Sequence, residues 1–187
     1  KGETIGALLV GSAHILSDNE IRLLKTIGDM TASAIHRSDL YEQTSLQAYE
    51  LKQAYDATLE GWAHALELRD KETQGHSLRI ANMTIKLAKR MGYKPEDLEN
   101  VRRGALLHDI GKMGVPDTVL LKPGSLTEDE WTLMRKHPEY AREMLIDLPY
   151  FKDAIDIPYC HHEWWDGSGY PRGLKSTEIP LVARIFA

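Results

Sequence analysis

The chain has 187 residues, with 23 Lys and Arg against 28 Asp and Glu, and its formal charge of −5 excludes broad electrostatic binding to nucleic-acid backbones or anionic lipid, either of which needs a concentrated positive field. A single cysteine, Cys160, excludes an intramolecular disulfide and a Cys-rich zinc site and fits a reducing, cytosolic setting, while no apolar run reaches the roughly 20 residues that span a bilayer. The length suits one domain of about 100–150 residues plus a piece of another, and the ends, Lys1 in a strand lead-in and Ala187 in an apolar segment, read as those of a fragment.

The first predicted element is a buried strand over Ile5 to Val10, a short apolar run bracketed by Gly2, Gly6 and Gly11. Ser17 then opens a helix, with Glu20 three residues on to complete a capping box, and Ile21, Leu24, Ile27, Gly28, Thr31, Ala34 and Ile35 form a face built to pack. From Ser38 to Asp70 there is no proline and one glycine, Gly61. There Leu51, Tyr55, Leu59, Trp62 and Leu66 recur at steps of four, four, three and four, which predicts one long amphipathic helix. So narrow a stripe suits a parallel two-stranded coiled coil, or a helix lying along its own domain. Ile80 to Met91 forms the next amphipathic segment, closed by Gly92, and Pro95 starts a helix whose apolar face is Leu98, Val101, Ala105 and Leu106. Lys112 to Ser125 reads as a loop. Thr127 with Glu130 makes a second capping box ahead of Trp131, Leu133 and Met134, and the chain beyond Asp166 is turn-rich.

Five of the eight histidines are placed unusually: His76, His108 beside Asp109, His137, and the adjacent pair His161 and His162. An adjacent His and Asp at the end of the apolar run Ala105-Leu106-Leu107 are costly to bury without partners, and a metal ion supplies one. Imidazole plus carboxylate without thiolate points to iron, manganese, zinc or nickel rather than to calcium or magnesium, which prefer oxygen shells. Each histidine alone has an ordinary reading: His76 as a cap or core residue, and His137, before Pro138, as the end of a turn.

Taken together these residues resemble a known signature. Gly75-His76-Ser77-Leu78-Arg79, then LLHDIGKMGVPDTVLLKPGSLTEDEW from Leu106 to Trp131, Lys136-His137-Pro138, and HHEWWDGSGYPRGLK from His161 to Lys175 are similar, in order and approximate spacing, to the HD superfamily of metal-dependent phosphohydrolases, and more narrowly to its HD-GYP branch. The resemblance runs from about Leu59 to Ala187. It implies an all-helical domain with a centre of two or three divalent ions, iron or manganese before zinc, held by His76, His108, Asp109, His137, His161 and His162, with Asp109 as the bridge. Glu67 matches the position of an extra carboxylate in three-metal members. Asp109 and Lys112 would be the catalytic residues, Lys112 near the scissile phosphate. Arg172 and Lys175 match phosphate-holding positions, and Gly169, Tyr170 and Pro171 are the GYP segment. The implied substrate is cyclic di-GMP, opened to pGpG and in some members cut on to GMP. Two close ions can activate a water, place it in line with phosphorus and neutralise phosphate charge.

Two departures stand out. Trp164 replaces the usual Arg after His161-His162-Glu163, and a further aspartate ligand expected shortly after Ala183-Arg184-Ile185 would fall past Ala187, so the 187-residue chain is expected to be impaired. Residues Lys1 to Tyr41 are similar to the final strand and helix of a GAF sensor domain. The expected fold is therefore mainly α: an HD-type helical bundle over 59–187, a connecting signalling helix over 42–58, and a fragment of an α/β GAF domain over 1–41. The expected partners are cyclic di-GMP, a second copy joined through the connecting helix, and a protein at the GYP segment, with no DNA and no membrane within these 187 residues. Two other readings compete with the enzyme: a module that binds a cyclic dinucleotide or a protein without turnover, and an HD phosphohydrolase acting on another nucleotide.

Overall fold

The computed structural model describes residues 6–187, and every regular element among them is helical. Helix α1 runs Asp18–Asp70 over 53 residues, joining into one element what the sequence divides between two. It starts on the expected capping box, with the Ser17 N–H donating to Glu20 Oε2 at 2.8 Å and the Glu20 N–H donating to Ser17 Oγ at 3.4 Å. The expected strand is not formed: residues 6–10 have no regular structure, and Ile5 lies outside the described residues. A strand needs a neighbour for its N–H and C=O groups, and no second strand exists among the described residues to supply one. The α/β fragment therefore has no counterpart among those residues. None of the helices there is long and apolar enough to cross a membrane.

The chain divides into two compact units, Lys1–Ala54 and Tyr55–Ala187. In the first, the apolar side chains of α1 meet no core: Ile21, Leu23, Met30 and Leu40 are each more than half exposed. The second unit uses the remainder of α1 as a wall. Leu59, Ala63 and Leu66 are buried, and Tyr55 stacks on Tyr150 at 5.0 Å between ring centroids, so from Tyr55 onward the predicted stripe lies along its own domain.

Around that wall fold α2 (His76–Arg90), α3 (Pro95–Leu106), a 3-10 turn (Ile110–Gly114), α4 (Asp117–Leu120), α5 (Glu128–Met134), α6 (His137–Leu145), α7 (Asp156–Cys160) and α8 (Leu181–Phe186). The segment expected as a loop thus carries two helical turns, the 3-10 turn and α4. One core layer joins Ala63, Ala81, Val101, Leu106, Ile157 and Ile185, and a second joins Leu59, Leu107, Ile110, Ala141, Leu145 and Phe151. Two glycines allow the close approaches that this packing needs. A Cβ on Gly104 would meet the Ala154 carbonyl oxygen at 2.5 Å, and one on Gly111 would fall 1.8 Å from the His137 carbonyl oxygen. Gly111 therefore lets the backbone just after Asp109 touch the first turn of α6, which brings two distant histidine motifs together.

Candidate metal centre

The chemistry-bearing side chains come from helix ends. Where α3 gives way to the 3-10 turn, His108 and Asp109 leave the core; His137 opens α6, and His161 and His162 follow α7. Three of the imidazoles are anchored alike. His108 Nδ1 lies 2.9 Å from the Ala105 carbonyl oxygen, His137 Nδ1 2.8 Å from that of Met134, and His161 Nδ1 3.1 Å from that of Pro158. Since a carbonyl can only accept, each Nδ1 carries a proton, and each Nε2 is turned to the interior, where it can give a lone pair to an ion.

Those lone pairs converge on Asp109. Its Oδ1 lies 3.3 Å from His137 Nε2 and 3.7 Å from His161 Nε2, while its Oδ2 lies 3.1 Å from His108 Nε2. His137 Nε2 and His161 Nε2 are 3.3 Å apart with the same polarity facing inward. Two lone pairs and a carboxylate oxygen aimed at one point repel unless a cation sits among them, so this donor set fits a metal ion. Ligand atoms of Asp109, His137, His161 and His162 all lie within 4.8 Å of one another.

Protonation states agree with that use. Burial drives His137 down to about 4, and burial together with the neighbouring charges of His161 and His137 drives His162 down to about 3, so both are neutral near pH 7. Burial raises the Asp109 carboxyl, but the facing His108 and His161 rings and the charges of His108 and Lys112 overcome it and hold the group well below the carboxylate range. His137 and His162, neutral beside an ionised carboxylate, are in the state in which transition metals are bound.

The cluster forms the floor of a cavity of about 540 Å³. One wall is charged: Lys112 Nζ lies 2.8 Å from Asp109 Oδ2, 3.2 Å from Asp70 Oδ2 and 4.0 Å from Glu72 Oε1. The other wall is apolar and aromatic, with Trp131, Met134, Tyr170 and Phe186. Tyr170 stacks on His162 with centroids 4.6 Å apart and planes 20° from parallel. The Gly169 backbone sets that stack, because a Cβ there would fall 2.3 Å from the Trp164 nitrogen, and the Tyr170 N–H donates to the His162 carbonyl at 3.0 Å. Pro171 follows, half-buried and outside the cavity lining.

Other sequence-predicted positions lie apart from the cluster. Glu67 is buried, and both its oxygens are occupied by backbone: Oε2 accepts from the Gly75 N–H and Oε1 from the Ser77 N–H, each at 2.8 Å. It caps α2, which has no side-chain cap of its own at Gly75. His76 points its Nε2 toward Glu72 Oε2 at 3.8 Å, and its ring centroid lies 6.3 Å from that of His108, beside the centre but not in the tight group. Arg172 and Lys175 are exposed and do not line the cavity; the Arg172 guanidinium sits 5.7 Å over the Tyr159 ring. Trp164, at the departure from the family pattern, is 63% exposed. The sequence reading missed Asp70 and Glu163. Asp70 holds Lys112; Glu163, 4% exposed, accepts from the Arg172 and Leu174 N–H groups at 2.8 Å each and so fastens the segment that presents Tyr170.

Comparison with known proteins shows the family. Residues 61–187 match the family model of the HD domain. A cyclic di-GMP phosphodiesterase of Thermotoga maritima is 42% identical over 123 residues, which is 65% of this chain and 33% of that protein. A 3'3'-cGAMP-specific phosphodiesterase 2 of Vibrio cholerae is 40% identical over 127 residues, 67% of this chain and 24% of that protein. The chain thus spans a third or less of the length of either relative. Among solved structures, Bd1817, a HDG"Y"P protein from Bdellovibrio bacteriovorus, superposes with a TM-score of 0.51 at 28% identity, covering 59% of this chain and 37% of that one.

Proposed function

The chain belongs to the HD domain family, and on that premise we propose that it is the catalytic part of a metal-dependent phosphodiesterase hydrolysing cyclic di-GMP. The observation that carries this reading is the division of Asp109, whose Oδ1 faces His137 and His161 while its Oδ2 faces His108. A carboxylate placed so can serve two ions at once. His137, His161 and His162 would hold one ion with Asp109; His108, with His76 beside it, would hold the other, and Glu67, engaged as a cap, is left out of the set. Iron or manganese suits ligands that are all imidazole or carboxylate. Bound there, such ions would supply Lewis-acid polarisation of the phosphate and activation of a water.

The protein's own residues do the rest. The Nδ1 bonds to carbonyls fix each ring, so its orientation is not lost to rotation when substrate arrives. Burial works against the charge on Lys112, but Asp109 and Asp70 overcome this and keep it protonated. It therefore acts as a fixed cation toward the phosphate oxygens and the departing sugar oxygen, and not as a base. The apolar wall of Trp131, Met134, Tyr170 and Phe186 excludes water from one side and offers faces to a nucleobase. The identity to a 3'3'-cGAMP-specific relative supports that dinucleotide as a second substrate. The exposed Leu40, Leu46 and Leu51 of α1 support a parallel homodimer through that helix, and the lone buried Cys160 is in keeping with the cytosol.

The test is Asp109→Ala, assayed on cyclic di-GMP with added Mn²⁺. Turnover is expected to fall below detection with the helical circular dichroism kept. Turnover within about tenfold of the parent, or about 1.4 kcal/mol in barrier, would remove Asp109 from the centre of the reading.

A further inference from the structure

The cavity has one cation, Lys112, in its charged wall, and a second, Arg135, behind two rings of its aromatic wall, that the reaction as described does not use. Arg135 follows α5 four residues after Trp131. Its guanidinium lies 5.7 Å from the Trp131 ring centroid and 5.8 Å from that of Tyr170, within the range of cation–aromatic contact for both, and both rings line the cavity. No carboxylate among the described residues pairs with Arg135. The other cations nearby are engaged. Lys112 is surrounded by Asp109, Asp70 and Glu72, and Arg69 donates to the Lys112 and Val115 carbonyls and to Asp117.

We propose that Arg135, steadied against Trp131 and Tyr170, is the residue that recognises a guanine base of the dinucleotide. This rests on the functional reading above and deepens it. A guanidinium lying against aromatic faces keeps its N–H edge free, and that edge matches the O6 and N7 acceptors of guanine in a bidentate fork. The neighbouring rings give the purine a surface to stack on. A phosphate needs only charge, which the ions and Lys112 already supply at the floor. Arg135 reaches two rings of the cavity lining, whereas the Arg172 guanidinium sits 5.7 Å over Tyr159, a ring outside it.

The experiment compares the full-length protein with its Arg135→Ala and Arg135→Lys variants on two substrates, cyclic di-GMP and bis(4-nitrophenyl) phosphate, a phosphodiester without a base, with Mn²⁺ present throughout. Both variants are expected to raise KM for cyclic di-GMP about tenfold to a hundredfold, as the loss of one bidentate base contact should. The effect on kcat should be small, so the ratio of kcat/KM for cyclic di-GMP to that for bis(4-nitrophenyl) phosphate falls by the same factor. Arg135→Lys with the parent KM would overturn recognition by the guanidinium fork. Equal losses on both substrates would overturn it too, by placing Arg135 in support of the floor. If the parent hydrolyses bis(4-nitrophenyl) phosphate but not cyclic di-GMP, the substrate reading falls and takes this assignment with it; if it hydrolyses neither, the phosphodiesterase reading falls first.

Discussion

Glu67 shows how little a residue's place in a motif says about what its atoms touch. The family resemblance makes it a metal ligand, whereas the structure gives both its oxygens to the exposed N-terminus of α2, where Gly75 and Ser77 would otherwise present unpaired N–H groups. Those partners are eight and ten residues away on another element, so no local pattern announces them. If capping is the role, Glu67→Ala should lower stability in urea by about 1–3 kcal/mol, the desolvation cost of buried donors left unmade, while metal content per chain stays at the parent value. Lost metal with unchanged stability would return Glu67 to the ligand set. Glu163 has the same design on the other side of the cavity, holding the Arg172 and Leu174 N–H groups. Glu163→Ala is expected to cost a similar amount and, by loosening the segment that carries Tyr170, to raise KM for the dinucleotide before it lowers kcat. An unchanged KM would separate Tyr170 placement from Glu163.

At the level of elements, what was legible was what is local. The capping boxes at Ser17 and Thr127 involve residues three apart and form as the sequence indicates. Pro95 opens α3, and Gly92, with φ of 88°, stands just past α2 where a left-handed residue is needed. The order of the histidine motifs was also legible, and His137, His161 and His162 form the tight cluster with Asp109, beside which lies His108. Less legible was anything that depends on a second element. The stripe from Leu51 to Leu66 gives a helix but cannot say that Leu59 and Leu66 meet a core while Leu51 stays 57% exposed, because periodicity marks a face and not its partner. Gly111 in the run His108 to Lys112 looks like a turn residue, yet its necessity comes from the His137 carbonyl across the fold. The predicted strand failed for the same reason, since pairing is a property of two segments.

Across the whole second unit, the centre gathers groups whose burial is paid in proton affinity, and this gives the metal-free protein a defined acid sensitivity. His137 and His162 titrate near 4 and 3 when folded, against 6.5 for an ordinary imidazole. Between those limits the unfolded chain binds protons that the folded chain refuses, so stability rises with pH across the window and is lost as pH falls from about 6.5 toward 4. His108 is shifted the other way: burial opposes its proton, but the Asp109 carboxylate outweighs that and raises it. Its stabilisation is fully present below 6.5 and is lost only as pH rises through its folded value, so it adds no slope inside the window. Asp109, held well below 3.8, adds its own loss only at lower pH. Chelator-treated protein is therefore expected to lose on the order of 3 kcal/mol between pH 6.5 and 4.5, discounting His162 for its partial exposure, in urea titrations at fixed ionic strength. Adding Mn²⁺ at pH 7.5 should raise the melting temperature, because an ion bound only by the folded state stabilises it, and the gain should shrink on acidification as protons compete for the same nitrogens. A metal-free protein of constant stability over that window, or an Mn²⁺ effect that does not weaken with acid, would mean that His137 and His162 do not face the centre as neutral ligands.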